Sequence, residues 1–241
     1  MECLDLIAVP VMVQGEKLVR HFKTIDVPLK RYYILDNSMG INPSIDEAID
    51  WICDNKPEHI QEIAVVSNNQ NSGYPGAVNQ IIRDNTDCDH WIVTGFDWWV
   101  ASNEYKKLLN KNFKEGVFLG QGMDDMCGFI FTPSLIEKVG LLDENFFPGY
   151  FEDNDYKRRI LLANADVIHC PLSNTHERSS TLNSSTRFKK KNQYTFQQNY
   201  MYYVKKWGGK PGQEKYASPF NTGFPVNYWA FNPTRREKLR W

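Results

Sequence analysis

The chain has 241 residues, 41% hydrophobic and 24% charged, with a formal net charge of -1. That length suits one sizeable domain with an appendage, and the near-neutral charge excludes the basic footprint of a nucleic-acid binder. Cys3, Cys53, Cys88, Cys127 and Cys170 form no C-x-x-C pair and are odd in number, which reads as reduced thiols rather than a disulfide framework or a zinc knuckle.

The N-terminal run "MECLDLIAVPVMV" places acids before its apolar stretch, so it reads as a buried strand, not a signal peptide. No apolar run approaches the roughly 20 residues needed to span a bilayer. These features predict a soluble, cytoplasmic protein without a membrane span, with peripheral membrane contact left open.

In chain order, "LDLIAVPVMV" is a strand and "GEKLVRHFKTI" a helix. "RYYILDN" is a second strand; "SIDEAIDWICDN" is a helix with Ser44 as cap and Glu47 at the capping-box position. "IAVVSN" and "HWIVTGFD" are the third and fourth strands, with the helix "PGAVNQIIRDN" between them and the helix "NEYKKLLNKNF" after them. Such alternation predicts a mostly parallel sheet with helices on both faces. "GVFLGQG" and "CGFIFTP" are strands without an intervening helix, which predicts an antiparallel or mixed section. Pro133 opens a short helix stopped by Gly140. Residues 188–207 read as a helix. The Gly-, Pro- and aromatic-rich tail, 208–241, reads as an ordered wrap over a domain formed by 1–207, itself divided near residue 115.

In open parallel sheets ligands bind beyond the carboxyl ends of the strands. Pro10, Asp36-Asn37-Ser38, the segment "SNNQNSGYPGAVN" and Gly95-Phe96-Asp97 gather on that rim. Asp36-Asn37-Ser38 is equally a turn and cap. "NSGYPG" lacks the spacing of a phosphate loop. Asp97 ends an apolar strand beside Trp98 and Trp99; such an acid needs a partner, and a divalent cation is one candidate. His176 sits in a polar loop, where a lone histidine is ordinarily solvated, and His169 reads as a packed strand residue.

These segments resemble, in order, those of nucleotide-sugar-dependent glycosyltransferases of the family 2 type, which have the GT-A fold. "YILDNS" is similar to the family's second-strand motif, and "NSGYPGAVNQII" to its N-x-G-x-x-x-A-x-N-x-G-I segment. "WIVTGFD" stands where the family's metal-binding D-x-D belongs, with Gly95 in place of the first acid. The run from Cys127 to Pro171 mirrors the family's strand, "VGGFDE-x-F-F" turn and "EDxD" helix, and "THE" stands at its late histidine.

The resemblance implies a Rossmann-like GT-A domain followed by a C-terminal helix and tail. Asp36 and Asn37 would hold the base and ribose, with the backbone of Val9 and Pro10 lining the base. Gly73, Asn79 and Phe96 would line the donor, and Gly128 would let its sugar lie against the backbone. Asp97 and His176 would bind Mn2+ or Mg2+, the mixed oxygen and imidazole set favouring Mn2+. The implied partners are a UDP- or GDP-type sugar donor and a glycan, protein-linked or lipid-linked acceptor.

The acidic stretch "YFEDNDYKRRI" has two readings. Asp153–Lys157 and Asp155–Arg159 are i,i+4 pairs at a helix start, where the dipole favours acids. The family, however, places its general base in this motif. Asp153 is the expected base, ionised at the helix N-terminus; Glu152 is the second candidate or an acceptor-hydroxyl ligand; Asp155 serves the helix. The run Arg187 to Lys191 is a solvated helix start or a lid over the diphosphate. Alternatives are a retaining transferase, a catalytically inactive nucleotide-sugar or carbohydrate-binding module, for which the Gly95 departure speaks, and a nucleotidyltransferase, which lacks its phosphate loop here.

Overall fold

The computed structural model describes residues 2–121, 126–177, 181, 185–228 and 232–239. Three parallel strands, β1 (Leu4–Val11), β2 (Leu29–Asp36) and β3 (Ile60–Ser67), alternate with helices α1 (Gly15–Phe22) and α2 (Pro43–Asp54). Helix α3 (Gly73–Asp84) leads to β4 (Trp91–Thr94), which pairs in parallel with β1. The chain then forms β5 (Trp98–Val100), β6 (Val117–Phe118) and β7 (Gly128–Phe131). Helices α4 (Pro133–Val139) and α5 (Glu152–Leu162) precede β8 (Ile168–His169) and β9 (Asn174–His176). The long α6 (Thr186–Trp207) and short α7 (Pro233–Leu239) end the chain.

The main sheet has the order β3-β2-β1-β4-β7-β6-β8. Strand β7 runs antiparallel to both β4 and β6, and β8 is parallel to β6. Every residue of β1 is buried, which explains its unbroken apolar run. Its alternate side chains feed two cores. Ile7, Val9 and Val11 pack with Leu18 and Phe22 of α1 and with Ile45 and Ile52 of α2. Leu6 and Ala8 pack with Ala77, Val78 and Ile81 of α3, Leu135 of α4 and Tyr156 of α5.

Three local expectations fail. "NEYKKLLNKNF" forms only a single 3-10 turn, Tyr105–Leu108, because Asn103 and Asn110 adopt left-handed backbone that breaks a helix at both ends. Asn42, not Ser44, stands at the start of α2; the Ser44 hydroxyl donates to Asn42 Oδ1 and accepts from the Gly15 amide, tying α2 to α1. His176 is not in an open loop but in β9, paired with β5.

Helix α6 is docked by a buried charge cluster. Lys206 Nζ lies 2.8 Å from Asp143 and 2.7 Å from Asp155, and Arg159 Nε lies 2.9 Å from Asp155. Trp207 Nε1 and the Tyr202 hydroxyl complete the carboxylates' hydrogen bonds. Asp155 therefore holds the helix pair together, leaving Glu152 and Asp153 as the stretch's other acids. Beyond α6, the Arg158 guanidinium donates to Tyr216 O, and Arg235 donates to Asn145 O, Gln198 O and Asn199 Oδ1, tying these two tail positions to α5, α6 and the turn before α5.

Candidate active site

The rim beyond the carboxyl ends of β1, β2 and β4 is built by short-range constraints. Strand β4 stops at Thr94, and a turn follows in which Trp98 N donates to Gly95 O at 3.1 Å. Gly95 N donates to Cys127 O at 2.8 Å, locking this turn to the start of β7. Strand β5 then pairs antiparallel with β9, setting Trp98 opposite His176. Glu177 N donates to Asp97 O at 3.0 Å, so the same ribbon fixes both ends of the pair. Across it, His176 Nε2 lies 3.7 Å from Asp97 Oδ1, with Asp97 only 8% exposed. Glu177 binds Lys17 at 2.6 Å, and Arg20 lies 4.0 Å over the Trp99 ring, pinning the ribbon to α1.

Gly95 is more than a missing acid. A Cβ there would sit 3.0 Å from Asp97 Oδ1, so a side chain would crowd the Asp97 carboxylate. Two donors about 2.1 Å from one ion lie about 3.0 Å apart at 90° and about 3.4 Å apart at the tetrahedral angle, so the 3.7 Å Asp97–His176 spacing would have to close by a few tenths of an ångström to share a divalent cation. Among the described residues no group of three or more His, Cys, Asp or Glu converges as a metal cluster.

On the β2 side, Asp36 is buried and its Oδ1 accepts from Ser38 N at 2.7 Å, an Asx turn. Asn37 Oδ1 accepts from Asn68 Nδ2 at 2.9 Å and from the Ser72 hydroxyl at 3.0 Å. This ties the second-strand motif to the loop before α3. Gly73 has φ 71°, and a Cβ there would lie 2.8 Å from the Phe147 ring and 2.9 Å from Pro148 O. Glycine is thus required by both conformation and close approach. The next amide, Tyr74 N, donates to Pro148 O at 2.6 Å.

Three donor-lining expectations are revised. Asn79 is fully buried; its Nδ2 donates to Leu142 O and Glu144 Oε1 and its Oδ1 accepts from Leu142 N, so it anchors the turn before α5 instead of facing a ligand. Phe96 is 7% exposed and packs in the α1/α2-side core. Gly128 has the Trp98 indole 2.8 Å from where its Cβ would be, so that face admits a tryptophan, not a sugar. The expectation for Val9 and Pro10 concerns their backbone: the Val9 side chain is buried, and the strand runs past both residues to Val11. Pairing with β4 covers only Ile7 and Ala8, however, so at Val9 and Pro10 the ladder continues on the β2 side alone.

The acidic helix start is reached through Tyr74. Its hydroxyl donates to Met126 O at 3.3 Å, beside the residue that receives Gly95 N. Its Cβ and the Glu152 carboxyl each lie 3.8 Å from a Cβ built on Gly149. Tyr74 thus touches residue 126, next to the Cys127 that receives Gly95 N, and the Gly149 turn that leads to Glu152. The side chain of Arg187 lies outside the described residues, so the basic-lid expectation has no structural reading there.

The two acids differ sharply. Asp153 has a 36% exposed side chain, with Lys157 Nζ 3.8 Å away and Asn154 N donating to its Oδ1. Glu152 is 8% exposed, and burial, reinforced by the charge of Asp153, pushes its carboxyl well above the usual range. At Glu152 desolvation thus opposes the helix dipole that favours an ionised acid.

Two features escaped the sequence reading. Strands β5 and β9 are three residues each and pair positions far apart in the chain, so no local periodicity marks them. Tyr74 falls at a variable position of the NSGYPGAVNQII segment, so only its adjacency to Gly73 marks it.

No family model matches the chain, and no curated protein matches it in sequence. Solved structures do match in fold. The chain is similar to GalNAc-T7, crystallised with UDP, GalNAc and Mn2+, at 12% identity and a TM-score of 0.64, over 85% of this chain and 48% of that one. It is similar to residues 1–349 of S. aureus TarS at 12% identity and a TM-score of 0.50, over 69% and 58% of the two chains. The TarS complex with UDP-GlcNAc matches at 10% identity and 0.50, over 73% and 61%. This chain thus spans about half the length of the first and under two thirds of the others. The strand order, the antiparallel β7 and the flanking helices give this protein the GT-A fold.

Proposed function

We propose that the protein is a glycosyltransferase that moves a sugar from a nucleoside diphosphate sugar to an acceptor hydroxyl, with inversion. The observation that carries the reading is the Asp97–His176 pair, held 3.7 Å apart on the rim of a GT-A fold; the acidic start of α5 is assigned to the same site as part of the proposal. Asp36, Asn37 and the backbone at Pro10 and Gly73 are the residues assigned to the nucleotide. Asp97 and His176 are the residues that would hold Mn2+ or Mg2+, which when bound supplies charge neutralisation for a departing diphosphate.

Asp153 is the general base. It is the more exposed of the two acids, and general bases act in the ionised form. It takes the acceptor hydroxyl proton as that oxygen attacks the anomeric carbon, and the bond to the diphosphate oxygen breaks on the opposite face. Glu152, which burial favours in its protonated form, orients the acceptor hydroxyl without taking the proton. Acceptors in view are a glycan, free or attached to protein or lipid. No helix among the described residues is long and apolar enough to cross a membrane.

The test is release of nucleoside diphosphate from a panel of UDP- and GDP-sugars with Mn2+. Turnover that falls about 100- to 10,000-fold in Asp153→Asn, with donor binding kept, supports the reading. No release from any donor by the wild-type protein favours the inactive binding module, for which the Gly95 substitution speaks.

A further inference from the structure

The residues just before the acids adopt an unusual backbone. Tyr150 has φ 74° and Phe151 φ 70°, a left-handed pair that bulky side chains rarely adopt. Outliers of this kind cluster at ligand sites, where the surroundings hold them in place. Here the holding groups are visible. Asn199 of α6 donates to Phe147 O at 3.1 Å and Gly149 O at 2.8 Å, and Arg235 of α7 holds the Asn199 carbonyl at 2.7 Å.

This backbone turns two rings onto α6. The Tyr150 and Phe196 rings are 5.2 Å apart at 70°, Phe151 and Phe196 5.0 Å apart at 55°, and Phe151 and Tyr200 5.6 Å apart at 52°. Phe196 and Tyr200 recur at i,i+4 on α6 and stay 44% and 37% exposed. Phe151 also packs against buried Tyr203, 5.9 Å away at 43°, which anchors the cluster to the core, while Phe196 and Tyr200 stay at the surface, in direct chain continuity of Tyr150 and Phe151 with Glu152 and Asp153.

We propose that Tyr150, Phe151, Phe196 and Tyr200 form a platform that binds a pyranose ring of the acceptor. The inference rests on the transferase reading and names its acceptor class as a neutral oligosaccharide. A sugar ring has C–H faces that suit the negative face of an aromatic ring, and hydroxyls that suit tyrosine. Beside the cluster Asp153 has Lys157 3.8 Å away and Glu152 is favoured in its protonated form, so these groups offer no net positive charge to an anionic partner, including an acidic lipid surface. An acceptor hydroxyl directed at Asp153 leaves the rest of its ring system next to residue 151, over this cluster.

The experiment is ring NMR on the full chain, labelled with carbon-13 in Phe and Tyr. It is titrated with maltotriose, cellotriose, mannotriose and chitotriose, with UDP and Mg2+ as the diamagnetic ion. The Phe196 and Tyr200 rings are expected to shift with at least one trisaccharide. Binding is expected to weaken about two- to tenfold in each of Phe196→Ala and Tyr200→Ala, and to survive in Phe196→Trp. No ring shift with any of the sugars, shifts indifferent to both alanine variants, or binding to phosphatidylcholine vesicles in place of sugars would overturn the platform. UDP titration in parallel separates the two claims. UDP binding without ring shifts sinks the platform alone, and ring shifts without UDP binding keep the platform but sink the transferase.

Discussion

Lys206→Met should damage the protein far more than its helical position implies. Lys206 is fully buried, and its ammonium lies 2.8 Å from Asp143 and 2.7 Å from Asp155, both fully buried. Methionine keeps most of the volume but leaves two carboxylates to share Arg159. Breaking a buried ion pair by removing one partner costs about 3–5 kcal/mol. Against a total of about 5–15 kcal/mol for a domain, that is a large fraction. In equilibrium urea unfolding, followed by tryptophan fluorescence, the midpoint should fall on the order of 1–2 M.

The loss should also depend on pH. Burial alone would raise the Asp143 carboxyl, but the charge and hydrogen bond of Lys206 outweigh it and hold it below 3.8. A depressed carboxyl contributes stability that is present above the unfolded value and disappears as pH falls through the folded one. The penalty of Lys206→Met should therefore be full at pH 7 and shrink below about pH 4. A loss under about 1 kcal/mol at pH 7, or one that does not change with acid, would refute the assignment of this cluster as the dock for α6.

Glu152→Gln should stabilise the protein increasingly as pH rises from 4.5, because the raised carboxyl of wild type favours the folded state only while protonated; a pH-independent change in melting temperature would contradict its burial. The same variant should keep turnover within about threefold while Asp153→Asn loses at least about 100-fold, and the reverse order would exchange the two roles. Gly128→Ala puts a Cβ 2.8 Å from the buried Trp98 ring and should destabilise by about 1–3 kcal/mol in thermal unfolding, whereas a neutral effect would mean the indole is not confined there.

The sequence reading succeeds where local pattern decides structure. The continuous apolar run of β1, the Thr132 cap with Pro133 before α4 and the stop at Gly140 are all set by near neighbours. Site geometry is less legible because it depends on pairings remote in sequence. Trp98 meets His176, Asn79 meets Leu142 and Asp143 meets Lys206, and none of these partners is signalled by spacing. Burial is likewise invisible locally. Glu152 and Asp153 look equivalent in the string, yet only Glu152 is removed from water. Gly128 and Phe96 stand at the positions the motif marks, and the Trp98 ring and the α1/α2-side core account for them.

Under the proposed function, the rim around Asp97 and His176 binds a nucleoside diphosphate together with a divalent ion. Calorimetric titration of UDP and GDP, with and without Mn2+, on wild type and Asp97→Ala tests it most directly. Nucleotide binding should need Mn2+ and vanish in the variant. Equal binding by both proteins, or none by wild type under any of these conditions, would contradict it.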